Sequence, residues 1–87
     1  MKYACPCWGY LTIDSEPPGS YDICPVCWWE DDPVQFDEPA YSGGANRVSL
    51  ETAKRNFAAF GASDEEYRGK VRAPHTEEVP TPTRGQQ

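Results

Sequence analysis

The sequence of 87 residues carries a net charge of −6 and contains four cysteines and three tryptophans. A chain of this length forms one small domain, and such domains often need a metal, disulfides or an oligomer for stability. Residues 1–46 hold eight acids and one base, whereas residues 47–87 hold six acids and seven bases. The acidic surface argues against nucleic-acid binding and favours a basic protein partner, although the acidity could also serve solubility alone.

The first residues, MKYACPCWGY, place cysteines and a proline where a signal peptide would have its apolar core. No stretch approaches the roughly 18 consecutive apolar residues of a membrane-spanning helix. We therefore expect a cytoplasmic protein without a membrane contact. Thiols stay reduced in that compartment, so four cysteines there indicate metal binding before disulfides.

The cysteines form two pairs, each with a proline after its first cysteine. The spacing is Cys-x-Cys, sixteen residues, then Cys-x-x-Cys, which is one residue short of a zinc-ribbon pattern in its first pair. Thiolates are good ligands for Zn²⁺, and proline helps to preset the turn of a metal-binding knuckle. The pattern predicts a zinc site whose ligands are Cys5, Cys7, Cys24 and Cys27.

Three alternatives compete with zinc at these cysteines. Two disulfides could link the pairs, but nothing in the sequence indicates export. Cys24 and Cys27 could form a thiol redox motif, although the surrounding sequence lacks a convincing βαβ pattern. The four thiols could also be buried structural side chains without a metal.

The segment between the pairs predicts a β-hairpin. Residues 10–13 (YLTI) and 21–23 (YDI) are rich in strand formers, and residues 14–20 (DSEPPGS) have the composition of a turn. One cysteine pair would then precede this hairpin and the other would follow it.

Residues 28–46 predict a long connection without secondary structure, packed by its own aromatic side chains. Gly43 and Gly44 are expected to supply a positive φ or a close approach of the backbone. The start of the segment is the strongest charge cluster of the chain, and we interpret it as a partner-binding surface formed by Trp28, Trp29, Glu30, Asp31 and Asp32. Alternatively, these acids cap local N–H groups and a tryptophan covers the cysteine site.

The clearest helix covers residues 49–60, with Ser49 as its N-cap and Gly61 after its end. Its apolar residues recur at helical spacing on one face. A second short helix is predicted over residues 64–69, where Ser63 and Glu66 form a capping-box pattern. These elements complete a predicted domain at residues 1–72.

Residues 73–87 contain three prolines and no aromatic residue, so we expect a disordered or loosely docked tail. His75, the only histidine, lies in this tail, and we interpret it as solvated rather than as a metal ligand.

The sequence resembles the bacterial cysteine-rich CPCC family from about residue 4 to residue 62. The resemblance rests on the CPC knuckle followed by Gly9-Tyr10, the block PGSYDICPVCWWEDD, the GGAN sequence, and the helix that opens at Ser49-Leu50 and closes at Phe60-Gly61. It implies a small metal-binding fold but no established activity.

The chain departs from the pattern that gives the family its name, because Trp8 stands where the last cysteine of CPCC is expected. In a Cys-Pro-x-Cys-Gly knuckle the sulfurs come from the first and fourth positions, which are residues 5 and 8 here. Cys7 could replace the missing ligand and give a four-sulfur site, which we prefer. Otherwise the site has three sulfurs and another donor, or metal binding is lost and Trp8 fills the space.

The sequence therefore predicts an α+β fold: a zinc-ribbon-like β-hairpin with cysteine knuckles, a long aromatic loop and one main C-terminal helix. Motifs of common enzymes, such as a P-loop or a nucleophile elbow, are absent from the sequence, and we expect no catalytic activity. The expected function is a structural-zinc interaction module, for which immunity proteins that neutralise a basic toxin are one analogy. A thiol redox protein and a nucleic-acid-binding ribbon are the alternatives.

Overall fold

The computed structural model describes residues 2–80. Two short strands come first, followed by two α-helices and two 3-10 turns. In chain order these are β1 (Tyr3–Ala4), β2 (Leu11–Ile13), α1 (Pro33–Asp37), α2 (Leu50–Phe60) and the 3-10 turns Glu65–Tyr67 and Thr76–Glu78. No helix in this part of the chain is long and apolar enough to cross a membrane.

The sheet is a two-stranded antiparallel hairpin that closes across the first cysteine pair. Tyr3 pairs with Ile13 and Ala4 pairs with Leu11, with an irregularity of register between them. The predicted pairing of residues 10–13 with residues 21–23 is wrong. Residues 21–23 instead bond to the chain after the second cysteine pair, where Ile23 forms a bridge with Glu30. Each knuckle is a tight turn that brings its own flanks together, so each pair has its own small hairpin.

Helix α1 was not predicted, since residues 28–46 were expected to lack secondary structure. Asp32 is its N-cap and accepts hydrogen bonds from the N–H groups of Val34 and Gln35 at 2.8 and 3.3 Å. Pro33 occupies the first helical position, where its missing N–H costs nothing and its φ suits a helix. The Asp-Pro pair is therefore a start signal that the sequence contained.

Helix α2 confirms the predicted main helix. The Ser49 side chain accepts from the N–H of Thr52 at 3.1 Å, and Gly61 ends the helix in the left-handed conformation with φ of 82°. Leu50 and Ala53 are buried, and Phe57 packs partly buried against the same core. The helix thus turns its predicted apolar face toward the cysteines.

The second short helix is a 3-10 turn whose N-cap is Asp64 and not the predicted Ser63. The Asp64 carboxylate accepts from the N–H of Glu66 and also pairs with Arg47, at 3.0 and 2.6 Å. Burial opposes ionisation of Asp64, but the hydrogen bonds from Arg47 and from the turn outweigh it and lower its pKa. Asp64, which also binds Arg47, therefore caps this turn in place of Ser63.

The loop between the helices is organised by Gln35, which is completely buried. Its Nε2 donates to the carbonyls of Tyr41, Asn46 and Val48 at 3.1, 3.1 and 3.0 Å. Its Oε1 accepts from the backbone N–H and the side chain of Asn46 at 3.0 and 2.9 Å. Asn46 in turn bonds both the N–H and the carbonyl of Glu30. Buried side chains therefore take the place of a sheet ladder in holding this loop.

The core contains all four cysteines. They pack with a small set of apolar residues from the strands, the second knuckle and α2: Ile13, Val26, Trp29, Leu50 and Ala53. The sulfur-bearing knuckles are thus not attached to a separate hydrophobic core but form a large part of it.

The chain after α2 returns to the second knuckle. Ser63 N–H donates to the carbonyl of Cys27 at 2.7 Å, and Arg72 N–H donates to the carbonyl of Pro25 at 3.2 Å. The Arg72 side chain then forms a two-pronged ion pair with Glu78, at 2.9 and 2.8 Å. Of the tail predicted at residues 73–87, residues 73–80 thus include one 3-10 turn, and residues 81–87 lie outside the described part.

The first prediction concerns Gly44, where a Cβ would lie 2.7 Å from Asp32 Oδ2 and 3.0 Å from Gln35 Cδ. Gly44→Ala should lower the free energy of unfolding by about 1–3 kcal/mol, because both neighbours are buried and hydrogen-bonded. Gly69→Ala is the matched control, since a Cβ there meets nothing within 4 Å. Equal unfolding free energies of the two variants in urea would contradict this account.

The second prediction concerns pH. The hydrogen bonds from Arg72 and from the N–H of His75 lower the pKa of Glu78 from 4.5 to about 2. Because the folded pKa is lowered, the stabilisation is complete above the ordinary value and is lost as the pH falls from about 4.5 toward 2. An NMR titration of the Glu78 carboxyl should show this low midpoint, and Arg72→Gln should raise it. A midpoint near 4.5 in the unmodified protein would contradict the ion pair.

Candidate metal centre

The first knuckle is a tight turn between β1 and β2. Gly9 N–H donates to the carbonyl of Cys5 at 2.8 Å, and Cys5 N–H donates to the carbonyl of Tyr10 at 2.8 Å. Gly9 has a φ of 94°, which glycine adopts without steric cost. The turn buries Cys5 and Cys7, each 2% exposed, while Trp8 is 44% exposed.

The second knuckle repeats this hydrogen-bond pattern nineteen residues later along the chain. Trp28 N–H donates to the carbonyl of Cys24 at 2.7 Å, and Cys24 N–H donates to the carbonyl of Trp29 at 3.0 Å. Trp28 has a φ of 71°, the left-handed conformation that Gly9 has in the first knuckle. A tryptophan in this conformation is strained, so the knuckle is held by its surroundings. Trp29 is completely buried next to it.

The two knuckles bring three sulfurs to one point. The Sγ atoms of Cys5, Cys24 and Cys27 all lie within 4.8 Å of one another, and all three residues are buried. The Sγ atoms of Cys5 and Cys27 are 3.5 Å apart. Sulfurs around one tetrahedral zinc, each about 2.3 Å from the ion, are separated by about 3.8 Å. The separations in the cluster therefore fit a single ion.

The chemistry of the cluster also favours a cation. The Cys24 sulfur accepts hydrogen bonds from the thiols of Cys27 and Cys5 and from the Thr12 hydroxyl. These hydrogen bonds lower the pKa of Cys24. The pKa values of Cys5 and Cys27 are raised, because each donates a hydrogen bond to the Cys24 sulfur. The three sulfurs thus share hydrogen bonds within the buried cluster, and a bound cation would stabilise all three as thiolates.

Thr12 is a residue that the sequence did not single out. It lies in the middle of β2 and is buried, with its hydroxyl 3.0 Å from the Cys24 sulfur. A hydroxyl that donates to a ligating sulfur orients that ligand and tunes its charge. The signal was weak in the sequence, because a threonine in a strand is ordinary.

Cys7 is the predicted ligand that the cluster does not contain. It is buried and shares a hydrogen bond with the Cys27 thiol, which helps to raise the pKa of Cys27. Its sulfur, however, does not join the group of three that lie within 4.8 Å of one another. All four cysteines are free thiols. The structure thus brings three of the four predicted ligands together and places the fourth beside them.

The cluster of three cysteines is the only group of potential metal ligands found among residues 2–80. His75 does not belong to it, since its side chain is exposed and its Nδ1 lies 3.8 Å from Glu77. The donor set is therefore entirely sulfur, which suits a borderline-soft ion such as Zn²⁺ better than Mg²⁺ or Ca²⁺.

The predicted partner-binding residues are divided between the interior and the surface. Trp29, Asp31 and Asp32 are buried, whereas Trp28 and Glu30 are half-buried. One Asp31 oxygen accepts from the N–H and the hydroxyl of Ser20, at 2.9 and 2.7 Å. These three buried side chains therefore act within the fold.

Asp32 illustrates why these acids are internal. Its Oδ1 caps α1, and its Oδ2 accepts from the N–H of Ala45 at 2.9 Å. Burial opposes ionisation of Asp32, but the backbone donors at Ala45, Val34 and Gln35 outweigh it and lower its pKa. Asp32 thus serves local capping rather than an open acidic surface.

The chain belongs to the cysteine-rich CPCC family, because a family model described as Cysteine-rich CPCC matches residues 3–78. This match covers both knuckles, both α-helices and the two 3-10 turns. No curated protein matches the sequence. The resemblance expected from the CPC knuckle and the helix is thereby confirmed.

The third prediction tests the role of Thr12. Thr12→Val keeps the side-chain volume but removes the donor to Cys24, so a metal such as Zn²⁺ bound at the cluster should lose about 10- to 100-fold in affinity. Thr12→Ser is the matched control, because it keeps the hydroxyl. Competition with a chromogenic chelator measures both affinities. Equal affinities of the valine and serine variants would show that this hydrogen bond does not tune the site.

Proposed function

We propose that this protein is a small structural-zinc protein that acts as a protein-interaction module. The observation that carries the zinc assignment is the convergence of three buried cysteine sulfurs from two separate knuckles. Thiolate is the preferred ligand of structural zinc, and zinc binding through thiols suits a reducing compartment such as the cytoplasm. The zinc-ribbon interpretation is supported by the repeated knuckle geometry.

The zinc has a folding role in this proposal. The cysteines are part of the core, so an ion at this point would link β1, β2, the second knuckle and the segments that pack on them. In a small domain, binding of this kind contributes directly to folding. The all-sulfur cluster and its burial support a non-enzymatic protein.

The interaction role rests on an exposed surface at the start of the loop after the second knuckle. Val34, Phe36 and Tyr41 are 50%, 42% and 44% exposed, and Asp37 and Glu38 are exposed between them in sequence. We call these five residues the α1 surface. Exposed aromatic side chains close in sequence to acids suit a partner with apolar and basic groups. An immunity or antitoxin-like role toward a basic protein remains within this proposal.

The two alternative functions have less support. A thiol redox protein needs a sulfur that a substrate can reach, but Cys24 and Cys27 are both completely buried. A nucleic-acid-binding ribbon needs a basic surface, but the net charge is −6.

The fourth prediction tests the zinc. Protein purified without added metal should contain about one zinc per chain, as measured by elemental mass spectrometry. Removal of the metal with a chelator should expose the cysteines to a thiol reagent and abolish the folded circular-dichroism signal. Cys24→Ser should lose the zinc. A folded protein with no metal would contradict the proposal.

A separate experiment tests the α1 surface. Cross-linking and affinity purification from the native host are compared for the unmodified protein, Phe36→Ala and the control Val79→Ala, since Val79 is exposed elsewhere. We expect a basic protein to be captured by the unmodified chain and the control, but not by Phe36→Ala. Equal capture by all three would rule out this surface as the binding site.

A further inference from the structure

We propose that the metal is held by three protein thiolates, and that its fourth coordination position, which faces residue 8, takes a small exchangeable donor. This inference rests on the proposed zinc site and specifies its ligands. The donor would be a water molecule or a low-molecular-weight thiolate.

Both knuckles have the same two backbone hydrogen bonds, and the residue at the matching position, Gly9 or Trp28, is in the left-handed conformation. Their residues can therefore be matched one by one, starting from Cys5 with Cys24 and ending with Tyr10 and Trp29. In this match the counterpart of the ligand Cys27 is Trp8. The backbone of the first knuckle thus carries residue 8 in the position that delivers a sulfur in the second knuckle.

The same match gives Cys7 a different role. Its counterpart in the second knuckle is Val26, a core residue that is 1% exposed. Cys7 is likewise buried in the core and lies outside the group of three sulfurs. The position of Cys7 in the turn is therefore a packing position, and its thiol fills space beside Cys27.

Trp8 cannot replace the missing sulfur as a metal ligand, since its indole nitrogen carries a proton and has no free lone pair to coordinate a metal. Its ring packs on Phe57 of α2, with 4.9 Å between the ring centroids, and it remains 44% exposed. The matched backbone thus places residue 8 where the second knuckle supplies a sulfur, and residue 8 carries a partly exposed aromatic side chain. In the proposed site a small donor would reach the metal from this side, and the burial of the three cysteines would exclude a larger one.

The test uses cobalt(II), whose absorption reports the number and type of ligands in a zinc site. Cobalt-loaded full-length protein is titrated with 2-mercaptoethanol as the probe. In the unmodified protein the thiolate-to-metal band should grow, saturably, by roughly one third, because three sulfurs become four. Trp8→Cys should start at the four-sulfur spectrum and should not respond to the probe. Cys7→Ser should behave like the unmodified protein.

The opposite result is equally clear. If the unmodified protein shows a four-sulfur spectrum without the probe, and Cys7→Ser reduces it to three sulfurs, Cys7 is the fourth ligand and the inference is wrong. If the unmodified protein binds no cobalt but Trp8→Cys does, the three-thiolate site is overturned together with the proposed zinc function. Elemental analysis of the zinc displaced by cobalt separates these two failures. Displaced zinc means that the site exists and only its fourth ligand was assigned wrongly, whereas no zinc means that the site itself is absent.

Discussion

The sulfurs of Cys5, Cys24 and Cys27 converge at one point, and the two knuckles and helix α2 pack around them. Their sulfurs come from two turns far apart in sequence, and like-charged thiolates at this separation repel unless a cation lies between them. The cysteines make up much of the core, and the chain is too short to compensate with a large apolar interior. The knuckle turns bring these sulfurs together, Thr12 donates a hydrogen bond to one of them, and Trp29 packs in the same core.

Polar side chains satisfy backbone hydrogen-bonding groups that strand ladders satisfy in larger proteins. Gln35 and Asn46 satisfy the backbone of the long loop, and Asp31 and Asp32 accept from N–H groups that no strand or helix would satisfy. Asp31 and Asp32 are therefore internal, whereas the other six acids of residues 1–46 are exposed or half-buried. These six acids and the apolar residues of the α1 surface remain available to a basic partner.

The parts of the fold that local chemistry determines could be predicted, namely helix α2 with its Ser49 and Gly61 boundaries, and the pairing of cysteines with turns. The strand partners could not, because alternation in residues 10–13 shows a strand but not which segment it bonds. Cys7 was expected as a ligand because the chain has only four thiols. The structure leaves its sulfur outside the group of three, a position that depends on turn geometry and not on spacing. Likewise, Gln35 owes its role to contacts distant in sequence.

The most direct test of the central claim is X-ray absorption at the zinc edge of the full-length protein. In protein freed of small thiols by dialysis, we expect three sulfurs at about 2.3 Å from the zinc and one lighter donor at about 2.0–2.2 Å. Four sulfurs would show that the first knuckle supplies two ligands after all, through Cys7. A shell without sulfur would show that the three cysteines do not hold the metal, and the fold would then have to be explained by packing alone.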